Sequence, residues 1–203
     1  MTSIVFLLGE MGVGKDTVAE EFVKNGFVRV SFADALKQEY AHQNNIDVRI
    51  LHTQGLEKES HRLKLIEVAE EARKKNPLVW LNKAFEPYID PSTHMFKKDV
   101  KLVVSDNRRV SEVEWYYNLY TEINHTNDER GEHICSSLKL ALFHIVRPKI
   151  VDSDTLTALA IGTAYGIDLA HPGFINAVIN NDSTKEALKE KIKNLIFSFH
   201  FNI

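Results

Sequence analysis

One cysteine, Cys135, occurs in 203 residues. A lone thiol excludes an internal disulfide framework and any cysteine-built zinc site. No apolar run reaches the roughly 18 residues that a membrane-spanning helix needs, and no signal-peptide pattern opens the chain. Neither sign of charge dominates: 25 basic residues face 28 acidic ones, for a net charge of −3. That balance argues against a general nucleic-acid or membrane-surface binder. No internal repeat or low-complexity tract is present. The nine histidines are scattered, and His125 and His133 read as solvated residues of a polar loop. What remains is a globular chain, 44% apolar. It has the length of one domain and enough apolar mass for a sizeable core. The cytoplasm is the expected location, of an infected host if the chain is viral.

The chain alternates short apolar segments with helical ones. Strands are predicted over Ile4–Leu8, Phe27–Phe32, Lys101–Ser105, Leu140–Val146 and Ala177–Ile179. Helices are predicted from Val18, over Ala35–Gln43, Leu56–Lys75, Leu78–Tyr88, Val110–Tyr120 and Thr184–Phe197, the break at Asn76-Pro77 separating the middle pair. Asn124–His133 reads as a polar loop. In the last helix Leu188, Ile192, Leu195 and Ile196 share one face. Strands separated by helices imply an α/β fold: a five-stranded parallel sheet, helices on both faces, right-handed crossovers. Ligands of such sheets sit at the carboxyl ends of the strands.

The chemistry begins directly after the first strand. Gly9-Glu10-Met11-Gly12-Val13-Gly14-Lys15-Asp16-Thr17 has the G-x-x-x-x-G-K spacing of a phosphate-binding P-loop, with the strand before it and helix after it that the motif requires. Gly9, Gly12 and Gly14 let backbone amides turn around an anion, and the helix start adds positive character. A bare glycine turn explains the glycines but not Lys15, which would reach the terminal phosphates of a nucleotide. Asp16 stands where Ser or Thr commonly helps hold Mg²⁺. It reads either as a magnesium contact or as a first-turn acid favoured by the helix dipole. Thr17 supplies the nearest hydroxyl.

Asp106 closes the third predicted strand, as the second Mg²⁺-handling acid of P-loop enzymes does, or as a helix cap. Arg108 and Arg109 follow it. Guanidinium groups there suit clamping of phosphoryl oxygens; the plainer reading is an ion pair with Glu112 or Glu114. Lys58, Arg62 and Arg73 fall on one face of the long helix, a stripe that fits an already phosphorylated acceptor, although Glu57, Glu59, Glu67, Glu70 and Glu71 surround them as on an ordinary solvated helix. Lys37 has the same two readings. Arg130, Arg147 and Lys149 are candidates to close over a nucleotide from mobile segments. Trp80 and Trp115 read as core or pocket wall.

These motifs resemble those of the phage-type deoxynucleoside monophosphate kinases. The points of similarity are G-V-G-K-D-T-V-A-E after the first strand, S-F-A-D-A-L-K at Ser31–Lys37, V-V-S-D-N-R-R-V-S-E-V at Val103–Val113, F-H-I-V-R-P at Phe143–Pro148, and the stretch Ile179–Asn194. From Phe32 to Tyr120 the chain is also similar to animal-type phosphomevalonate kinase, through Leu36–Asp47, K-E-S-H-R, E-E-A-R-K-K-N-P and S-D-N-R-R-V-S-E-V-E-W. Both resemblances imply one P-loop kinase domain over 1–203, with an acceptor-binding helical segment at 34–90 and a lid-like segment at 147–172. They imply ATP and Mg²⁺ as cofactors and a small phosphorylated substrate. The catalytic set is then Lys15, Arg108 and Arg109. The nucleotide set is Gly9, Gly12, Gly14, Lys15, Asp16, Thr17 and Arg147, and the acceptor set Lys37, Lys58, Arg62, Arg73 and Arg108. Asp16, Thr17 and Asp106 would handle the metal. The chain departs from both relatives in carrying Glu10 and Met11 where they have basic loop residues. Leu65 stands near the glutamine that the nucleotide kinases place after the arginine, and Val151–His171 matches neither. The leading expectation is a (deoxy)nucleoside monophosphate acceptor, with phosphomevalonate second. A nucleotide-binding regulator without turnover is the alternative of another class. A GTPase is disfavoured by the lack of an N-K-x-D segment.

Overall fold

The computed structural model describes residues 1–9, 12–53, 56–107, 109–129, 138–147 and 175–199. They form β1 (Thr2–Leu8), α1 (Lys15–Lys24), β2 (Val28–Val30), α2 (Phe32–Asn44), α3 (Leu56–Lys75), α4 (Val79–Phe85), β3 (Lys101–Val104), α5 (Val110–Glu129), β4 (Leu138–Val146), β5 (Ala177–Asn180) and α6 (Lys185–Ser198), with short 3₁₀ turns at Val48–Leu51 and Glu86–Tyr88. The five strands make one sheet in the order β2-β3-β1-β4-β5. β1 runs parallel to both β3 and β4, and β4 parallel to β5. This is the α/β P-loop fold expected from the alternation of elements. β1 is central and every one of its residues is buried, as a strand covered on both faces must be. Adjacent β1 and β3 send their chains to opposite sides of the sheet. The crevice at their carboxyl ends is therefore the topological switch point where open α/β sheets bind ligands.

The chain divides into two compact units, Met1–Arg29 with Asp90–Ile203, and Val30–Ile89. In the first, the period-2 alternation of β1 sorts its side chains between two layers. Val5 and Leu7 join Val18 and Phe22 of α1 and Leu188, Ile192 and Ile196 of α6 in one cluster, with Leu195 packed at its edge. Phe6 instead meets the Tyr116 ring edge-on at 5.0 Å and Trp115 at 6.1 Å, both from α5. Truncating a buried phenylalanine such as Phe6 costs about 3–5 kcal/mol. Burial pushes the Tyr116 phenol well above its ordinary pKa.

In the second unit Tyr40, Ala41 and Leu51 form a core flanked by Leu65 and Val68 of α3. Trp80 is buried there, its indole N–H donating to the Ala69 carbonyl at 3.4 Å. Trp80 is thus a packing residue.

Of the boundaries that differ from expectation, three have a clear local reason. The second strand stops at Val30 because Ser31 caps α2, its hydroxyl accepting from the Asp34 N–H at 3.2 Å. Helix formation then claims Phe32. The expected polar loop is helical from Asn124 to Glu129. No glycine or proline interrupts the chain there before Gly131, so α5 simply continues. β4 begins at Leu138 rather than Leu140, its first residue pairing with Thr2.

Candidate functional site

β1 delivers the chain into the glycine loop at Leu8. Gly9, Gly12 and Gly14 all have positive φ, 146°, 83° and 106°, a region that L side chains rarely adopt. Space is also lacking. A Cβ on Gly9 would lie 2.5 Å from the Ile145 carbonyl oxygen, and one on Gly14 would lie 2.7 Å from the Asn181 amide nitrogen. Glu10 and Met11 lie outside the described residues. Gly14 caps α1 in the left-handed conformation without a side-chain hydrogen bond. The first-turn amides of α1 accordingly have no intrahelical partner and point toward the loop's mouth with the positive end of the helix dipole. Lys15 is only 6% exposed, and its ammonium donates to the Gly9 carbonyl at 2.5 Å. The cation is therefore folded back over the loop that it follows.

Two side chains that sequence reasoning did not single out support this loop. Asn181, just past β5, donates its side-chain N–H to the Val13 carbonyl at 2.8 Å, while its own backbone N–H donates to Val146 at the same distance. It ties the loop to the ends of β4 and β5. Arg29 of β2 donates from Nη2 to Asp16 Oδ1 at 2.5 Å and from Nε to Ser105 Oγ at 2.9 Å. It thereby joins the start of α1 to the end of β3. A charged residue amid F-V-R-V-S-F was the available signal for Arg29. For Asn181 it was a polar side chain at the carboxyl end of a strand.

Past β3, Asp106 is half-buried and Asn107 fully buried. Neither polar atom of the Asn107 amide has a partner among the described residues. Arg109 lies just before α5: its N–H donates to the Glu112 carboxylate at 2.8 Å, and its carbonyl accepts from the Glu112 N–H at 3.1 Å. This reciprocal arrangement is the acidic half of a capping box. Glu112 is thus engaged by the Arg109 backbone, and the Arg109 side chain stays on the exposed surface. Arg108 lies outside the described residues, as do Arg130, Lys149 and residues 148–172 of the lid-like segment. Arg147 is described and exposed, directly after β4.

His144 pairs in register with Leu8, the last residue of β1. Burial lowers its pKa below the ordinary histidine value.

The acceptor candidates belong to the second unit. Lys37 pairs with Asp34 at 2.9 Å and sits 3.5 Å from the His52 ring. On α3, Arg62 pairs with Glu59 at 3.0 Å and Arg73 with Glu70 at 2.9 Å, each three residues on along the helix. Arg73 is the more buried of the two arginines. Lys58 lies in the same helix.

Residues 7–122 match the family described as phosphomevalonate kinase. The chain belongs to the phosphomevalonate kinase family. The family match takes in the glycine loop, all of the second unit, β3 and the Asp106–Arg109 turn. It therefore covers the glycine loop and the long helix α3 with a single family match. Solved structures similar to the chain include dephospho-CoA kinase from Campylobacter jejuni, at 12% identity over 97% of each chain and a TM-score of 0.40. Others are TT1252 from Thermus thermophilus, at 14% over 97% of each and 0.42, and a fungal RNA kinase, at 14% over 98% of this chain and 87% of that one and 0.37.

Proposed function

We propose that the protein transfers the γ-phosphoryl group of ATP to the phosphate of a small monoester, giving a diphosphate. The observation that carries this reading is Lys15, buried and folded over a glycine loop whose helix presents uncapped amides. Those groups would hold the nucleotide's phosphates. A phosphate acceptor is already ionised, so no general base is needed. Catalysis then consists of positioning, charge neutralisation and exclusion of water.

Asp16, Thr17 and Asp106 offer carboxylate and hydroxyl oxygens, hard donors of the kind that Mg²⁺ takes, and they would hold the ion. When bound, it neutralises charge on the phosphates. Arg108 and Arg109 would meet the transferring group, and Arg147 the nucleotide. Lys37, Lys58, Arg62 and Arg73 are the proposed acceptor ligands. A cytoplasmic location and the absence of nucleic-acid or membrane partners complete the reading.

Two acceptors fit. The likeness of the final third to the phage-type kinases supports a deoxynucleoside monophosphate. The family match over residues 7–122 supports phosphomevalonate. ADP formation with Mg²⁺ and a panel of (deoxy)nucleoside monophosphates and phosphomevalonate separates them. Stimulation by one class names the acceptor. Tight ATP binding with no stimulation by any acceptor would replace the kinase reading with that of a nucleotide-binding regulator.

A further inference from the structure

We infer that Arg29 is a positioning residue for Asp16, and that this pair does the work of the hydroxyl residue that commonly follows a P-loop lysine. The inference rests on the nucleotide-binding reading given above.

A carboxylate beside the phosphate cradle is a problem. Asp16 is 74% exposed in the first turn of α1, next to the residue that would meet the terminal phosphates. Unbalanced, it would repel them. The Arg29 guanidinium supplies the balance at 2.5 Å. It is not a loose surface partner. Its Nε is fixed to the Ser105 hydroxyl at 2.9 Å, and Ser105 is only 2% exposed. The planar guanidinium is thus held at two edges, which sets the direction of the Asp16 carboxylate.

The pairing uses one atom on each side. Asp16 Oδ2 and Arg29 Nη1 have no partner among the described residues. The pair can therefore present an acceptor oxygen to a magnesium ion or its water, and an N–H to a phosphate oxygen, from one fixed unit. Between Gly9 and Lys15 the loop has no other cation and carries Glu10, so a cation from β2 fills a need that the loop itself does not meet.

The test is the affinity for a fluorescent ATP derivative, with and without Mg²⁺, in the full-length protein. Arg29→Met is expected to weaken Mg²⁺–nucleotide binding at least tenfold, Arg29→Lys less. Asp16→Thr placed in the Arg29→Met background is expected to restore affinity to within threefold of wild type. A merely structural arginine would not be rescued in this way. Melting curves identify folded variants. Should Arg29→Met fail to fold, Asp16→Asn decides the matter: the nucleotide alone binds more tightly, and the gain on adding Mg²⁺ falls about tenfold. Unchanged binding in Arg29→Met, no rescue by Asp16→Thr, or an unchanged Mg²⁺ gain in Asp16→Asn would overturn the proposal alone. A wild-type protein that binds no ATP would overturn the kinase reading and this proposal with it.

Discussion

The side-chain amide of Asn181 donates to the backbone carbonyl of Val13 across 168 residues of sequence, at 2.8 Å. The end of the sheet's fifth strand therefore fixes the middle of the glycine loop. Asn181→Ala removes that bond. About 0.5–1.5 kcal/mol of stability should be lost in urea unfolding, with a several-fold rise in the KM for ATP and little change in the KM for the acceptor. A larger loss is expected for Asn181→Asp, which would set a carboxylate against a carbonyl oxygen.

Gly14→Ala tests the same contact from the other side. Its Cβ would meet the Asn181 amide at 2.7 Å in a backbone held at φ 106°. Strain of this kind costs about 1–3 kcal/mol. Calorimetric melting should show the loss, and titration with nucleotide should show binding weakened well beyond what the lost stability explains.

The glycines, Lys15 and the closing helix face were legible in the sequence because each is a local pattern: a spacing, a charge after a turn, a repeat every three or four residues. Arg29, Asn181 and the capping role of Glu112 were not singled out. The first two act across 76 and 168 residues, and local periodicity carries no information about such partners. Asn124–Glu129 was misread for a related reason. Its polar composition suggests a loop, but with no breaker before Gly131 the preceding helix propagates through it.

His144 gives the stability a pH dependence of known sign. Burial lowers its pKa below the ordinary 6.5, so below that pH the unfolded chain binds more protons than the folded one. Stability from this residue is fully present above pH 6.5 and is lost as pH falls through the folded pKa. Urea midpoints at pH 7.5 and 5.5 should differ more for the wild type than for His144→Gln. An equal difference in both would contradict the assignment.

Arg73→Gln tests acceptor binding separately from donor binding. Its partner is Glu70 on the same helix, at 2.9 Å. Under the proposed function, Arg73→Gln raises the KM for the phosphate acceptor about tenfold or more, the scale of a lost charge-assisted hydrogen bond, and leaves the KM for ATP unchanged. Initial rates with each substrate varied in turn show the split. A rise confined to the KM for ATP would remove Arg73 from the acceptor set.

Phosphoryl transfer dependent on Lys15 is read out with γ-labelled ATP. Wild-type protein and Lys15→Met are incubated with Mg²⁺ and each candidate monoester, and the products are separated. Label is expected in the acceptor's diphosphate with an equal amount of ADP. The rate is expected to be about 10²–10³-fold lower in a folded Lys15→Met variant. Transfer at the wild-type rate by that variant, or no labelled product from any monoester, would contradict this Lys15-dependent transfer.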